Sequence, residues 1–302
     1  MEIASQTKSP AVSVVVAAFN RAQLLPRTID SLVSQSFKEF ELIVVDDGST
    51  DHTFEVLKAY GDNVRVFRQE NRGPSAARNL GVRHARGRWI AFQDSDDLSA
   101  RDHLQSLFDF IQTRLDHGLV FANGGYLAGP QHDRETIIPP AKSRRLAARG
   151  VTLGDLFDKS IFRLQASLIQ KSALESVGGF DESIRVGEDL DLAMRIWLRY
   201  PVAYLDKVVF FYRRHEGNLV GNSELRLTDN IRVIEKLARE SPRAREILGP
   251  ARIARRIAYR YYRLAKNCWK RGEREKARRA IRQAVSLRPF ALKYRYYRSV
   301  WV

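Results

Sequence analysis

Val12-Ser13-Val14-Val15-Val16-Ala17-Ala18-Phe19 is short, rich in β-branched residues and apolar almost without interruption. A half-exposed strand alternates polar and apolar side chains, so a continuous run predicts a strand buried on both faces, as in a parallel sheet. Outward from it, Leu24, Leu25, Ile29, Leu32 and Val33 recur at helical spacing over residues 22–36. Glu41-Leu42-Ile43-Val44-Val45 is a second buried strand, ending at Asp46-Asp47-Gly48-Ser49. Asp51 is placed to cap the next helix, which carries Val56 and Leu57. Residues 64–67 read as a third strand, Gly73-Pro74-Ser75 opens a helix through Ala85, and residues 88–92 form a fourth strand. This alternation predicts a doubly wound α/β sheet, in which ligands bind beyond the carboxyl ends of the strands. Phe19-Asn20, Asp46-Asp47 and residues 94–97 all lie at such ends.

After residue 100 the pattern loosens. A helix is expected over 101–116, a turn at Gly178-Gly179-Phe180-Asp181, a helix over 188–200 and a strand over 208–212. The polar segment 128–150, with Pro139-Pro140 and the run Lys142-Ser143-Arg144-Arg145, reads as a mobile loop. From about residue 224 the chain is helical and basic. The net charge is +16, and residues 231–302 alone hold 22 basic and 5 acidic side chains, so the remainder is close to neutral. That distribution argues against nucleic acid as the partner of the main body. The single cysteine, Cys268, permits no intrachain disulfide and suits a reducing compartment. The first residues lack a basic stretch followed by an apolar one, and no run of about 18 apolar residues occurs. The expectation is a cytoplasmic protein, soluble or peripheral on the cytoplasmic face of a membrane.

Gln93-Asp94-Ser95-Asp96-Asp97 follows the apolar run Trp89-Ile90-Ala91-Phe92. In extended chain Asp94 and Asp96 face the same way, and two like charges held together favour a cation between them. Hard oxygen ligands suit Mg²⁺ or Mn²⁺, with phosphate oxygens completing the shell. On its own an acidic strand end is ordinary; the order of the motifs is not.

That order is Ala18-Phe19-Asn20-Arg21, Asp46-Asp47-Gly48-Ser49-Thr50-Asp51, Asn71-Arg72-Gly73-Pro74-Ser75-Ala76-Ala77-Arg78-Asn79, Asp94-Ser95-Asp96-Asp97, Gly187-Glu188-Asp189 and Tyr212-Arg213-Arg214-His215. Over roughly residues 10–220 it closely resembles the family 2 glycosyltransferases, inverting and metal-dependent enzymes of the GT-A fold, a Rossmann-like nucleotide-sugar-binding sheet. The resemblance implies that Asp47 accepts a hydrogen bond from the donor's base, usually uracil, with Asp46 beside it. It implies that Ala18, Phe19 and Asn20 lie at the base, that Arg78 approaches the nucleotide or its phosphates, and that Asp94 reaches the ribose or sugar. Asp96, with Asp97 and a late-loop His215, would hold Mn²⁺ or Mg²⁺. Asp189 matches the base that deprotonates the acceptor, and Glu188 and Asp191 are its chemical rivals.

Ala17 and Phe19 depart from the proline and tyrosine of many relatives, and each keeps an apolar or aromatic contact. The Gln-x-x-Arg-Trp motif of processive synthases is absent after Glu188-Asp189. The implied activity is therefore transfer of a single sugar from a nucleotide sugar, UDP-linked in preference, to a glycan or lipid-linked acceptor in surface polysaccharide assembly. The alternatives are a sugar nucleotidyltransferase, whose Gly-rich basic loop after the first strand is missing, and an inactive scaffold. Residues 1–224 form the expected catalytic domain and 225–302 a basic helical extension. Tyr261, Leu264, Ala265, Gly272, Ala277, Ile281, Ala284 and Pro289 fall at the spacing of one tetratricopeptide-like hairpin over 258–291. Its interleaved aromatic and basic residues suit an anionic membrane surface; RNA is the rival partner, but no RNA-binding module is recognisable.

Overall fold

In a computed structural model, residues 9–127, 135–159, 161–213 and 223–301 are described. The first half alternates as the sequence predicts: β1 (Val12–Ala18), α1 (Leu25–Val33), β2 (Phe40–Asp46), α2 (Thr53–Lys58), β3 (Arg65–Arg68), α3 (Pro74–His84) and β4 (Trp89–Asp94). β5 (Leu98–Ser99), α4 (His103–Gln112), β6 (Leu119–Tyr126), α5 (Pro140–Arg149), α6 (Leu153–Lys159), β7 (Ser167–Gln170), α7 (Lys171–Ser176), α8 (Glu188–Trp197) and β8 (Val202–Tyr212) follow. The chain then runs through α9 (Ser223–Glu240), α10 (Pro242–Leu248), α11 (Pro250–Lys270), α12 (Arg274–Leu287) and α13 (Leu292–Trp301).

Among the described residues the strands form one sheet in the order β3-β2-β1-β4-β7-β6-β8-β5. β3, β2, β1 and β4 are mutually parallel, whereas β7 runs antiparallel to both β4 and β6. The sheet is thus mixed rather than wholly parallel. The apolar runs are explained by burial of both faces. Val15, Ile43, Val45, Ile90 and Phe92 face a core built with α3, α6, α8 and α9, while Val14, Val16, Val44 and Ala91 face α1 and α4.

Two expectations are corrected. Residues 140–149 of the supposed loop are helix α5: Pro140 opens it, where its missing N–H costs nothing, and Ser143 and Leu146 are buried one turn apart. Residues 128–134 lie outside the described residues. Asp51 stands one residue before the cap position of α2, yet its carboxylate accepts the Thr53 N–H at 3.0 Å and the Ala22 N–H at 3.2 Å. Packing also continues across residue 224, because Ile231, Ile234, Leu237, Leu248 and Ile253 share the core of α6 and α8. A separate cluster gathers only from Ala258 onward, where α11, α12 and α13 meet and Trp269 stacks on Trp301.

Candidate active site

The carboxyl ends of β1, β2 and β4 and the first turn of α8 converge on one cleft. Asn20 at the end of β1 is, among the described residues, the one non-glycine with positive φ, at 51°. Its Oδ1 accepts the Thr50 N–H at 2.9 Å and its own N–H donates to Ser49 Oγ at 2.9 Å. Asn tolerates the left-handed region better than other residues, and here the side chain ties the end of β1 to the loop after β2. Ala18 is buried, and it is its carbonyl, accepting the Asp47 N–H at 2.8 Å, that bears on the site. Phe19 is 42% exposed, leaving an aromatic face at the cleft.

Asp46 and Asp47 are both buried. Asp46 accepts the Ser49 N–H and pairs with Arg68 at 3.1 Å. Asp47 accepts N–H bonds from Arg72 (3.0 Å) and Gly73 (2.8 Å) and from the Gln69 amide (2.7 Å). It thereby fixes the loop that starts α3. Gly48, with φ 77°, passes so close to that loop that a Cβ would lie 2.8 Å from Asn71 N.

Arg78 on α3 crosses the cleft. Its Nη2 donates to Asp94 Oδ1 at 2.8 Å and its Nη1 to Glu188 Oε1 at 2.7 Å. It joins the end of β4 to the start of α8, and with the Phe180 ring 5.6 Å away it is almost wholly buried. Loss of water holds the Glu188 carboxyl up at about 7, with the charge of Asp189 adding and that of Arg78 opposing. Gly187 takes φ 93° to turn the chain into α8, so the two acids arrive in the first helical turn. Asp189 Oδ1 accepts the Leu190 N–H at 2.7 Å, and among the described residues its other oxygen meets no donor. Asp191 is 3% exposed and is held by Arg195 at 2.6 Å and Lys236 at 3.3 Å. Its carboxylate is thus engaged by two cations.

Asp94, Asp96 and Asp97 each offer an oxygen within 4.8 Å of the others. Burial pushes the Asp97 carboxyl up to about 8, with repulsion from Asp94 and Asp96 contributing. Loss of water also raises Asp94, and repulsion from Asp96 adds to this against the pull of Arg78. This is a donor set that a divalent cation fits: hard oxygens whose mutual repulsion the ion would relieve. Asp97 is fully buried, with one oxygen accepting the Arg213 N–H at 2.9 Å and the other the Gln165 amide at 3.1 Å. It shapes the turn, while the half-buried Asp96 pairs with Arg21 at 3.6 Å. Gln165, in a 3-10 turn before β7, donates to both Asp94 and Asp97. No motif marks it, and sequence reasoning missed it. His215 lies outside the described residues.

The family model described as Glycosyl transferase family 2 matches residues 13–169. An uncharacterized glycosyltransferase of Rickettsia typhi is 30% identical over 228 residues, 72% of this chain and 68% of that one. Glycosyltransferase GlyG of Streptococcus pneumoniae is 28% identical over 228 residues, 70% of this chain and 73% of that one. Some relatives are longer: the chain matches 32% of an uncharacterized glycosyltransferase of Rickettsia felis. Among solved structures, residues 1–349 of S. aureus TarS in complex with UDP-GlcNAc superpose with TM-score 0.69 at 20% identity, covering 91% of this chain and 81% of that one. The mannosyltransferase PcManGT from Pyrobaculum calidifontis, in complex with GDP-Man and Mn²⁺, gives TM-score 0.64 at 21% identity, covering 97% and 84%.

Proposed function

The chain belongs to glycosyltransferase family 2, and on that premise we propose that it moves one sugar, with inversion, from a nucleoside-diphosphate donor to a hydroxyl of a glycan or lipid-linked acceptor. The observation that carries this is the placement of Glu188 and Asp189 against Asp94-Ser95-Asp96-Asp97, joined by Arg78. A UDP-linked donor is favoured by the likeness to a UDP-GlcNAc complex, and the GDP-Man neighbour makes a guanine donor the alternative. In the proposed step the open oxygen of Asp189 takes the proton of the acceptor hydroxyl as that oxygen bonds to the sugar C1. The bond from C1 to the diphosphate breaks on the opposite face, and its electron pair leaves with the diphosphate. Asp189 stands in the first turn of α8, a position the helix dipole favours for acidic side chains. Glu188, tied to Arg78, positions rather than reacts. A divalent ion held by Asp96, within reach of Asp97 and Asp94, would supply Lewis-acid neutralisation of the leaving diphosphate. Phe19 is suited to stack on the base.

Asp189→Asn is expected to keep nucleotide affinity and to lose transfer by about a hundredfold or more. Retained transfer, or equal loss of nucleotide binding, would remove Asp189 from the role of base. We assign residues 1–224 to catalysis and 225–302 to a basic extension that holds the enzyme at an anionic membrane surface, in surface polysaccharide assembly. The support is the charge and exposed aromatic character of the last helices; among the described residues no helix is long and apolar enough to cross a membrane.

A further inference from the structure

Away from the donor cleft, α11 carries Arg252, Arg256 and Arg260 four residues apart, one stripe along the helix. Arg256 is 8% exposed, and its Nε and Nη2 are buried without a hydrogen-bond acceptor. Arg260 Nε is buried and unpartnered as well. The Phe157 ring lies 4.8 Å from the Arg256 guanidinium carbon and closes one side. The carboxylate that acts on this group is Asp158, and Arg252 already holds it at 2.6 Å. Arg226, from α9, adds a further guanidinium acting on Arg260. Burial, helped by Arg260, pushes Arg256 down to about 10.

Buried donors without acceptors are rare in folded proteins, and a desolvated charge without a partner is costly. The cost is understandable where a ligand completes the site. The acceptor-less N–H groups of Arg256 and Arg260 match the oxygens of a phosphate, which accepts from more than one guanidinium fork at once. The first turn of α9, which carries Arg226, is also near the chemistry. The Arg226 carbonyl accepts from Asn230 Nδ2 at 2.7 Å, and that atom lies 3.6 Å from where a Cβ on Gly187 would stand, at the turn that delivers Glu188 and Asp189. We propose that Arg226, Arg252, Arg256 and Arg260 form a binding site for a phosphate group, separate from the donor cleft and placed to hold a phosphate borne by the acceptor. The site itself stands on the arginines; its assignment to the acceptor rests on the transferase reading.

The test uses the full chain and two probes: inorganic phosphate by calorimetry, and phosphatidylcholine vesicles containing phosphatidic acid by co-sedimentation. Neither needs transfer, so failure of the transferase reading leaves the result interpretable. Arg256→Gln and Arg260→Gln are each expected to weaken binding by about tenfold or more. The charge-matched variant Arg279→Gln, on α12, should leave it unchanged. Binding of phosphate alone, lost in both variants, identifies a free phosphate group as sufficient. Binding of the vesicles alone, lost in both, identifies a lipid headgroup as the source. In phosphate-free buffer Arg256→Met should raise the melting temperature, because it removes an uncompensated charge, and added phosphate should no longer shift it. If Arg256 variants do not fold, Arg260→Gln decides. Binding of neither probe, or binding that falls no more in Arg260→Gln than in the α12 control, overturns the site.

Discussion

Arg78 binds two carboxylates, Asp94 and Glu188, that stand 94 residues apart in the chain, and each of its end nitrogens is committed to one of them. Removing one member of a buried ion network leaves the others uncompensated, at a cost of about 3–5 kcal/mol. Arg78→Met is therefore expected to lower chemical-denaturation stability by an amount near the low end of that range, because Asp94 keeps some contact with water. Arg78→Lys should recover only part, since one ammonium cannot fork between both acids; full stability in either variant would contradict the bridge. A second residue ties stability to pH. His103 is buried, and burial takes its imidazole down to about 4, against about 6.5 in an unfolded chain. The unfolded state then binds more protons between these values, so the contribution is complete above pH 6.5 and is lost as pH falls toward 4. Over that window it amounts to about 3 kcal/mol. Denaturation curves at pH 7 and pH 4.5 should show wild type losing more stability than His103→Gln, and equal losses would contradict a neutral buried imidazole.

At the scale of elements, α13 presents two faces. Tyr294 and Trp301 are buried against α11 and α12, while Leu292, Tyr296 and Val300, spaced by four, are exposed on the other side with Phe290 at 89%. Lys293 and Arg295 flank that stripe. An apolar stripe edged with basic groups is the pattern of an interfacial helix. Replacing Leu292, Tyr296 and Val300 together by serine should abolish co-sedimentation with anionic vesicles while leaving the fold intact by circular dichroism; undiminished binding would discard α13 as the contact. The elements also explain what the sequence made legible. β1 to β4 were readable because both of their faces are buried, so each appears as an unbroken apolar run. β6 was missed because its pairing with β8 shifts register around Asn123 and passes into glycines. β7 has four residues, too few for a period. α5 reads as a loop in sequence because its charges dominate its composition and only two of its ten side chains are buried. At the site, Asp47, Arg78, Asp96 and Asp189 stood in recognisable motifs. Gln165 is a lone amide whose partners lie about seventy residues away, and nothing local to it announces a role.

For the whole molecule, the sheet half and the tail divide the work by charge: a nearly neutral body with an acidic cleft, and a tail that carries the positive excess. Because α9 and the start of α11 belong to the central core, the tail is not an ornament that can be removed at residue 225 without exposing apolar surface. The cleft between Asp96 and Asp189 is proposed to bind a nucleoside diphosphate together with a divalent ion. The most direct measurement is calorimetric titration of wild type and Asp96→Asn with UDP, GDP, dTDP and CDP, with and without Mn²⁺. One of these nucleotides should bind wild type, Mn²⁺ should tighten its binding, and Asp96→Asn should lose the tightening while it remains folded. Binding indifferent to both Mn²⁺ and Asp96, or no binding of any of the four, would contradict it.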